Sequence, residues 1–161
     1  MELIIQKATE LGVKNIIPTD MERCVSKISG KDEIKKIERW QKIAEVAAKQ
    51  SGRDIIPKIE NVTKINQICE NINDFDMIIV PYEKEEVYSF KDAIEELKND
   101  KKINKTIGIV IGPEGGFEYK EIELLKNAGA KIVTLGTRIL RTETVALAMA
   151  SVIMYELGGS I

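Results

Sequence analysis

Three short stretches of this chain, residues 75–80, 107–111 and 131–135, are dominated by consecutive apolar residues rather than alternating ones, with Met-Ile-Ile-Val at the heart of the first. A strand that is apolar on both faces has a stable place only where both faces are covered, which in practice means a parallel sheet between helices. The segments between these runs carry helical periodicity, so strand and helix alternate along the chain. The pattern predicts an α/β fold with a parallel sheet layered between helices. In such sheets ligands lie outside the carboxyl ends of the strands. That rule nominates three loops: Pro81 onward, residues 112–117 and residues 136–144.

Taken in order, residues 2–11 place Ile4, Ala8 and Leu11 on one helical stripe, with Gly12 as the stop. The chain thus begins inside a helix with no lead-in, which suggests that something normally precedes it. A strand over residues 15–18 and a loop over 23–30 follow. Residues 32–50 form the longest helix, with Ile34, Ile37, Trp40, Ala44 and Ala47 on the apolar face and Lys35, Arg39, Lys42 and Lys49 on the other. Trp40 reads as a packing anchor. A marginal strand is expected over 55–59 and a modest helix over 64–71. Ser89 with Asp92 resembles a capping box for a helix running to Lys98. Residues 118–127 form a helix closed by Gly129, and a last helix runs from Thr142 to Leu157. That last helix is apolar nearly all round and so has to be covered on more than one side, for which a second subunit is the natural candidate.

With 161 residues, 43% of them hydrophobic, the chain is expected to form one domain with a real core. No apolar run approaches the roughly 18 residues of a membrane span, and the chain reads as soluble and cytoplasmic. It contains no histidine, which removes Ser-His-Asp and Cys-His catalysis and His-ligated metals together. Its two cysteines, Cys24 and Cys69, are far apart and form no metal-binding spacing, so no metal is expected. The net charge of −2 hides an asymmetry. Residues 21–58 carry ten Lys and Arg against six acids, and residues 70–100 carry ten acids against three lysines. This is either a basic face for an anionic partner or two ordinary solvated helical surfaces.

The sequence at 112–116, Gly-Pro-Glu-Gly-Gly, lacks both the dinucleotide fingerprint and a phosphate-binding Gly-Lys-Ser/Thr. Its glycines let backbone approach a ligand closely, and Pro113 stiffens the loop. In the next loop Arg138 and Arg141 flank Ile139 and Leu140, and Glu143 and Thr144 follow. Two cations and a carboxylate beside apolar residues suit a site that holds an anion or a polar ring while excluding water. The alternative is an Arg141–Glu143 surface pair.

Five motifs, KATELGV (7–13), ERC (22–24), RWQKIAEVAAKQSGR (39–53), IGPEGGF (111–117) and LGTRILRTETVA (135–146), resemble, in order and over nearly the whole chain, the RsmE family of 16S ribosomal RNA uracil-N3 methyltransferases in the SPOUT superfamily. The resemblance implies a SPOUT fold with a C-terminal trefoil knot, a homodimer, and S-adenosylmethionine as cofactor. It implies a cofactor pocket walled by Val80 and Pro81, by Gly112, Pro113, Glu114, Gly115 and Gly116, and by Leu135, Gly136, Ile139, Leu140 and Thr144. It further implies 16S ribosomal RNA of the small subunit as partner, with no membrane. Full-length members carry an N-terminal PUA-like RNA-binding domain that residues 1–161 lack, so the chain reads as a fragment of a longer protein or a short member.

On that resemblance, Arg141 or Arg138 stabilises a uracil anion and Glu143 orients it or relays the proton, while Arg23, Lys27 and Arg53 contact phosphate. Two rivals stay open. One is a SPOUT methyltransferase for another RNA position; the other is a ribosome-binding module that has lost catalysis.

Overall fold

Cap residues set most of the helix boundaries. Gly12 and Gly129 stand in the left-handed conformation just past two helices, and Ser89 exchanges hydrogen bonds with Asp92 at the start of a third. The computed structural model describes residues 1–28 and 30–158. Ser29, within the loop expected over 23–30, and the side chain of Lys31, one of the ten cations counted above, lie outside the described residues. The elements in order are α1 (Glu2–Leu11), β1 (Asn15–Ile16), β2 (Thr19–Asp20), α2 (Lys31–Gln50), β3 (Lys58–Ile59), β4 (Thr63–Lys64), α3 (Ile65–Glu70), a 3-10 turn (Ile72–Asp74), β5 (Met77–Pro81), α4 (Phe90–Asn99), β6 (Ile107–Ile109), α5 (Tyr119–Ala128), β7 (Lys131–Val133) and α6 (Thr142–Leu157). No helix among the described residues is long and apolar enough to cross a membrane.

The chain divides into two compact units, where the sequence reads as one domain. The first unit comprises residues 1–20, 26–63 and 146–161. Its core joins Ile5 of α1, Trp40 and Ala44 of α2 and Ile59 of β3. Trp40, 6% exposed, is the packing anchor its position suggested. The buried stripe of α1 is Ile5, Ala8 and Thr9 rather than Ile4, Ala8 and Leu11, because the Thr9 hydroxyl satisfies itself on the Ile5 carbonyl and can then be buried. Ile34 is 61% exposed, so the apolar face of α2 begins a turn later than its periodicity implied. β1 and β3 pair in parallel over two residues each. Both are shorter than expected because Pro18 and Pro57 have no N–H to donate to a ladder.

The second unit comprises residues 21–25 and 64–145 and holds a three-stranded parallel sheet in the order β6-β5-β7. Met77, Ile78, Ile79 and Val80 are all buried, as a central strand covered on both faces requires. Ile78 and Val80 pack with Ile65 of α3 and Ile122 and Leu125 of α5. Alternation turns Met77 and Ile79 to the other face, and α4, which buries Ala93, Ile94 and Leu97, lies against β5 and β7. The expected layering of a parallel sheet between helices is therefore met in this unit, on three strands.

Candidate functional site

All three strands of the second unit run parallel, so their carboxyl ends and the loops after them share one edge. β5 is central, and the chain leaves it for β6 on one side and returns to β7 on the other. Loops at such a reversal part from each other and leave a crevice. Hydrogen bonds hold the strand ends together at this edge and join the second loop to the third. The Tyr82 N–H donates to the Val133 carbonyl at 3.0 Å, and the Val110 N–H to the Ile79 carbonyl at 3.0 Å. The Thr142 hydroxyl donates to the Gly112 carbonyl at 3.2 Å, joining the third loop to the second. Thr142 was missed in the sequence, where it reads as an ordinary helix start; its partner lies 30 residues away.

The first wall contributes less than expected. Val80 is fully buried with its side chain in the core cluster, so at the mouth it can offer main chain alone; Pro81 is half-buried. Beyond it the Glu85 carboxylate accepts the N–H groups of Val87 and Tyr88 at 2.9 and 3.1 Å, and these hydrogen bonds hold it below the usual carboxylate range.

The second wall is strongly built. The Gly116 N–H closes a turn on the Pro113 carbonyl at 2.8 Å, with Gly116 at φ +72°, a conformation that favours glycine. Phe117 is 4% exposed, and its ring lies so close to Gly112 that a Cβ there would stand 3.0 Å from it. Among the described residues, the N–H groups of Gly112, Glu114 and Gly115 donate to no protein acceptor. Arg23 reaches this loop: Nε donates to Glu118 Oε1 at 2.7 Å and Nη1 to the Gly115 carbonyl at 3.1 Å. The Arg23 hydrogen bond holds the Glu118 carboxyl below its ordinary range, and Glu118 in turn raises the guanidinium.

The third wall is open. Leu135 is half-buried, Gly136 stands at φ +98°, Ile139 is 88% exposed and Leu140 36%. Among the described residues the N–H groups of Leu135, Ile139 and Leu140 have no protein acceptor. Arg138 and Arg141 are exposed and Glu143 half-buried, and none of the three has an ion-pair partner among the described residues. The Arg141–Glu143 surface pair is therefore absent, and both guanidinium groups remain available to a ligand. Thr144 is exposed on the first turn of α6.

The three cations assigned to phosphate are in different situations. Arg23, in the second unit, is occupied as described. Lys27, in the first unit, is exposed. Arg53, also in the first unit, folds over the C-terminus of α1, its Nη1 2.7 Å from where a Cβ on Gly12 would sit and its buried Nε without a partner. On α2, Lys35, Lys42 and Lys49 are exposed, and Arg39 pairs with Glu2 at 2.7 Å.

A family model described as an RNA methyltransferase domain matches residues 1–154. Ribosomal RNA small subunit methyltransferase E of Bacillus subtilis (strain 168) is 39% identical over 156 residues, which is 97% of this chain and 61% of that protein. The protein of the same name from Mesomycoplasma hyopneumoniae (strain 232) is 38% identical over 91% of this chain and 60% of its own length. The crystal structure of a ribosomal RNA small subunit methyltransferase E from Neisseria gonorrhoeae, bound to S-adenosyl methionine, superposes with a TM-score of 0.80 at 30% identity, covering 96% of this chain and 60% of that one. The chain thus spans about three fifths of the length of these relatives.

Proposed function

The chain belongs to the RNA methyltransferase domain family, and on that premise we propose that it transfers a methyl group from S-adenosylmethionine to N3 of a uridine in 16S ribosomal RNA. The observation that carries the reading is the convergence, at one sheet edge, of a preformed glycine loop with an exposed segment bearing two unpaired arginines and a nearby carboxylate.

The residues fit the cofactor. An adenine ring needs main-chain donors and apolar surface, and the loops supply unpartnered N–H groups at Gly112, Glu114, Gly115, Leu135, Ile139 and Leu140 together with exposed Ile139 and Leu140 side chains. When bound, S-adenosylmethionine supplies a methyl group already activated by its sulfonium. N3 of uracil is a poor nucleophile while protonated. Glu143 orients the ring or relays that proton, and Arg141 or Arg138 stabilises the negative charge that develops on the uracil carbonyl oxygens. N3 is hidden in a base pair, so the target is an unpaired or flipped uridine. Lys27, which is exposed, is read as a contact to RNA phosphate.

Three further parts of the reading rest on the family resemblance. Residues 1–161 are a SPOUT methyltransferase domain, working in the cytoplasm. The segment after Gly136 threads a trefoil knot; a crystallographic trace in which it passes beside every preceding loop would remove that part. The protein is a homodimer, supported by the exposed Ala148, Val152 and Tyr155 along α6; a monomer mass by light scattering at all concentrations would remove this one.

The central test is mass analysis of 16S RNA after incubation with the chain and S-adenosylmethionine. The expected product is 3-methyluridine. Methylation of another base atom would favour the rival methyltransferase, and failure to bind S-adenosylmethionine in calorimetry would favour the binding module.

A further inference from the structure

Arg23 stands outside the three walls, yet its side chain hydrogen-bonds to the second of them and to Glu118 just beyond it. We propose that Arg23 is a positioning residue that fixes the shape of the glycine loop at 112–117 and thereby sets affinity for the cofactor, a role that rests on reading this loop as the second wall. The argument begins with the peptide unit between Gly115 and Gly116. Its carbonyl accepts from Arg23 Nη1 at 3.1 Å, and its N–H donates to Pro113 at 2.8 Å, so both polar atoms of one peptide are held. A peptide restrained at both ends does not flip. The neighbouring N–H groups of Glu114 and Gly115 are left without a protein acceptor and remain for a ligand.

The base from which Arg23 reaches is itself fixed. Met21 is 5% exposed and sits in the same core cluster as Phe117 and Ile122. The Cys24 N–H returns to the Met21 carbonyl at 3.2 Å, and the Met21 N–H to Cys24 Sγ at 3.4 Å. The Glu22 N–H donates at 3.0 Å to Glu121, whose other oxygen accepts the Glu118 N–H at 2.8 Å. Glu121 is 9% exposed, so this carboxylate is buried and satisfied from both sides of the contact. A Cβ on Gly115 would stand 3.0 Å from the Arg23 Cβ and 3.2 Å from its carbonyl oxygen, a tight approach that the absence of a side chain at 115 relieves. Held this way, the guanidinium uses two edges of its planar fork, one for Glu118 and one for Gly115. A lysine ammonium on a flexible stem has no such fork.

This separates positioning from phosphate binding. A phosphate contact needs the positive charge and is kept by Arg23→Lys; a loop clamp needs the fork and is lost in it. The experiment measures S-adenosylmethionine affinity by calorimetry for the unsubstituted chain, Arg23→Lys and Arg23→Ala, with amide hydrogen exchange of residues 112–118 in the ligand-free state. The expected result is affinity lower by about tenfold in both variants, with faster loop exchange and unchanged exchange in β5. Affinity within about twofold of the original in Arg23→Lys, or unchanged loop exchange in both variants, overturns the proposal. If the unsubstituted chain itself fails to bind, the methyltransferase reading falls and takes the affinity role with it, whereas the exchange rates still decide whether Arg23 clamps the loop.

Discussion

The loops after β6 and after β7 leave the same sheet edge, two strands apart, and are built in opposite ways. The first is held by Phe117 in the core, by its own turn and by Arg23. The second carries Ile139 and Leu140 into solvent, and both loops leave N–H groups unpaired. Exposed apolar side chains beside unsatisfied donors are stable together only while water covers the donors, and they become a binding surface when something displaces it. On the reading proposed above, one wall is thus preorganised and the other is completed by what binds. Such an arrangement spends little ordering entropy on the glycine loop and concentrates it in the segment bearing Arg138 and Arg141.

The largest expected effect separates the two walls directly. Phe117→Ala should destabilise the fold by about 3–5 kcal/mol, as loss of a buried ring does, whereas Ile139→Ala should leave stability within about 0.5 kcal/mol yet weaken S-adenosylmethionine binding. Urea unfolding paired with calorimetry checks both; equal destabilisation by the two would erase the contrast. Gly115→Ala should come next. Its new methyl meets Arg23 backbone, and a strained backbone contact of that kind costs about 1–3 kcal/mol, with faster exchange of the loop amides as the sign that the clamp has opened. The smallest effect is on pH. Glu118 is held low by Arg23, so its contribution is fully present above the unfolded value and is lost as pH falls below about 4.5 toward the depressed folded value. Arg23 is raised and loses nothing in that range. Thermal melts from pH 6 down to pH 3 should therefore decline less steeply for Glu118→Gln than for the original chain, and identical slopes would show that the pair adds nothing measurable.

The sequence alone determined what local physics determines. Continuous apolar runs announced the buried β5, Ser89 with Asp92 announced the start of α4, Gly129 announced the end of α5, and the glycine and arginine loops followed from their place after strands. Each of these depends on neighbours a few residues away. Local pattern overestimated the strands around Pro18 and Pro57, where a missing N–H matters more than apolar content, and it placed Ile34 inside when α2 leaves it outside. Tertiary structure decided everything that depends on meeting across the chain. Arg23 reads as a cation for phosphate until the fold brings it to Gly115 and Glu118, more than 90 residues on. The same holds for Thr142 on Gly112 and for the division into two units. A side chain's charge is written in its own letter, but whether that charge meets solvent, ligand or a carboxylate is set by which distant groups the core brings within hydrogen-bonding reach of it.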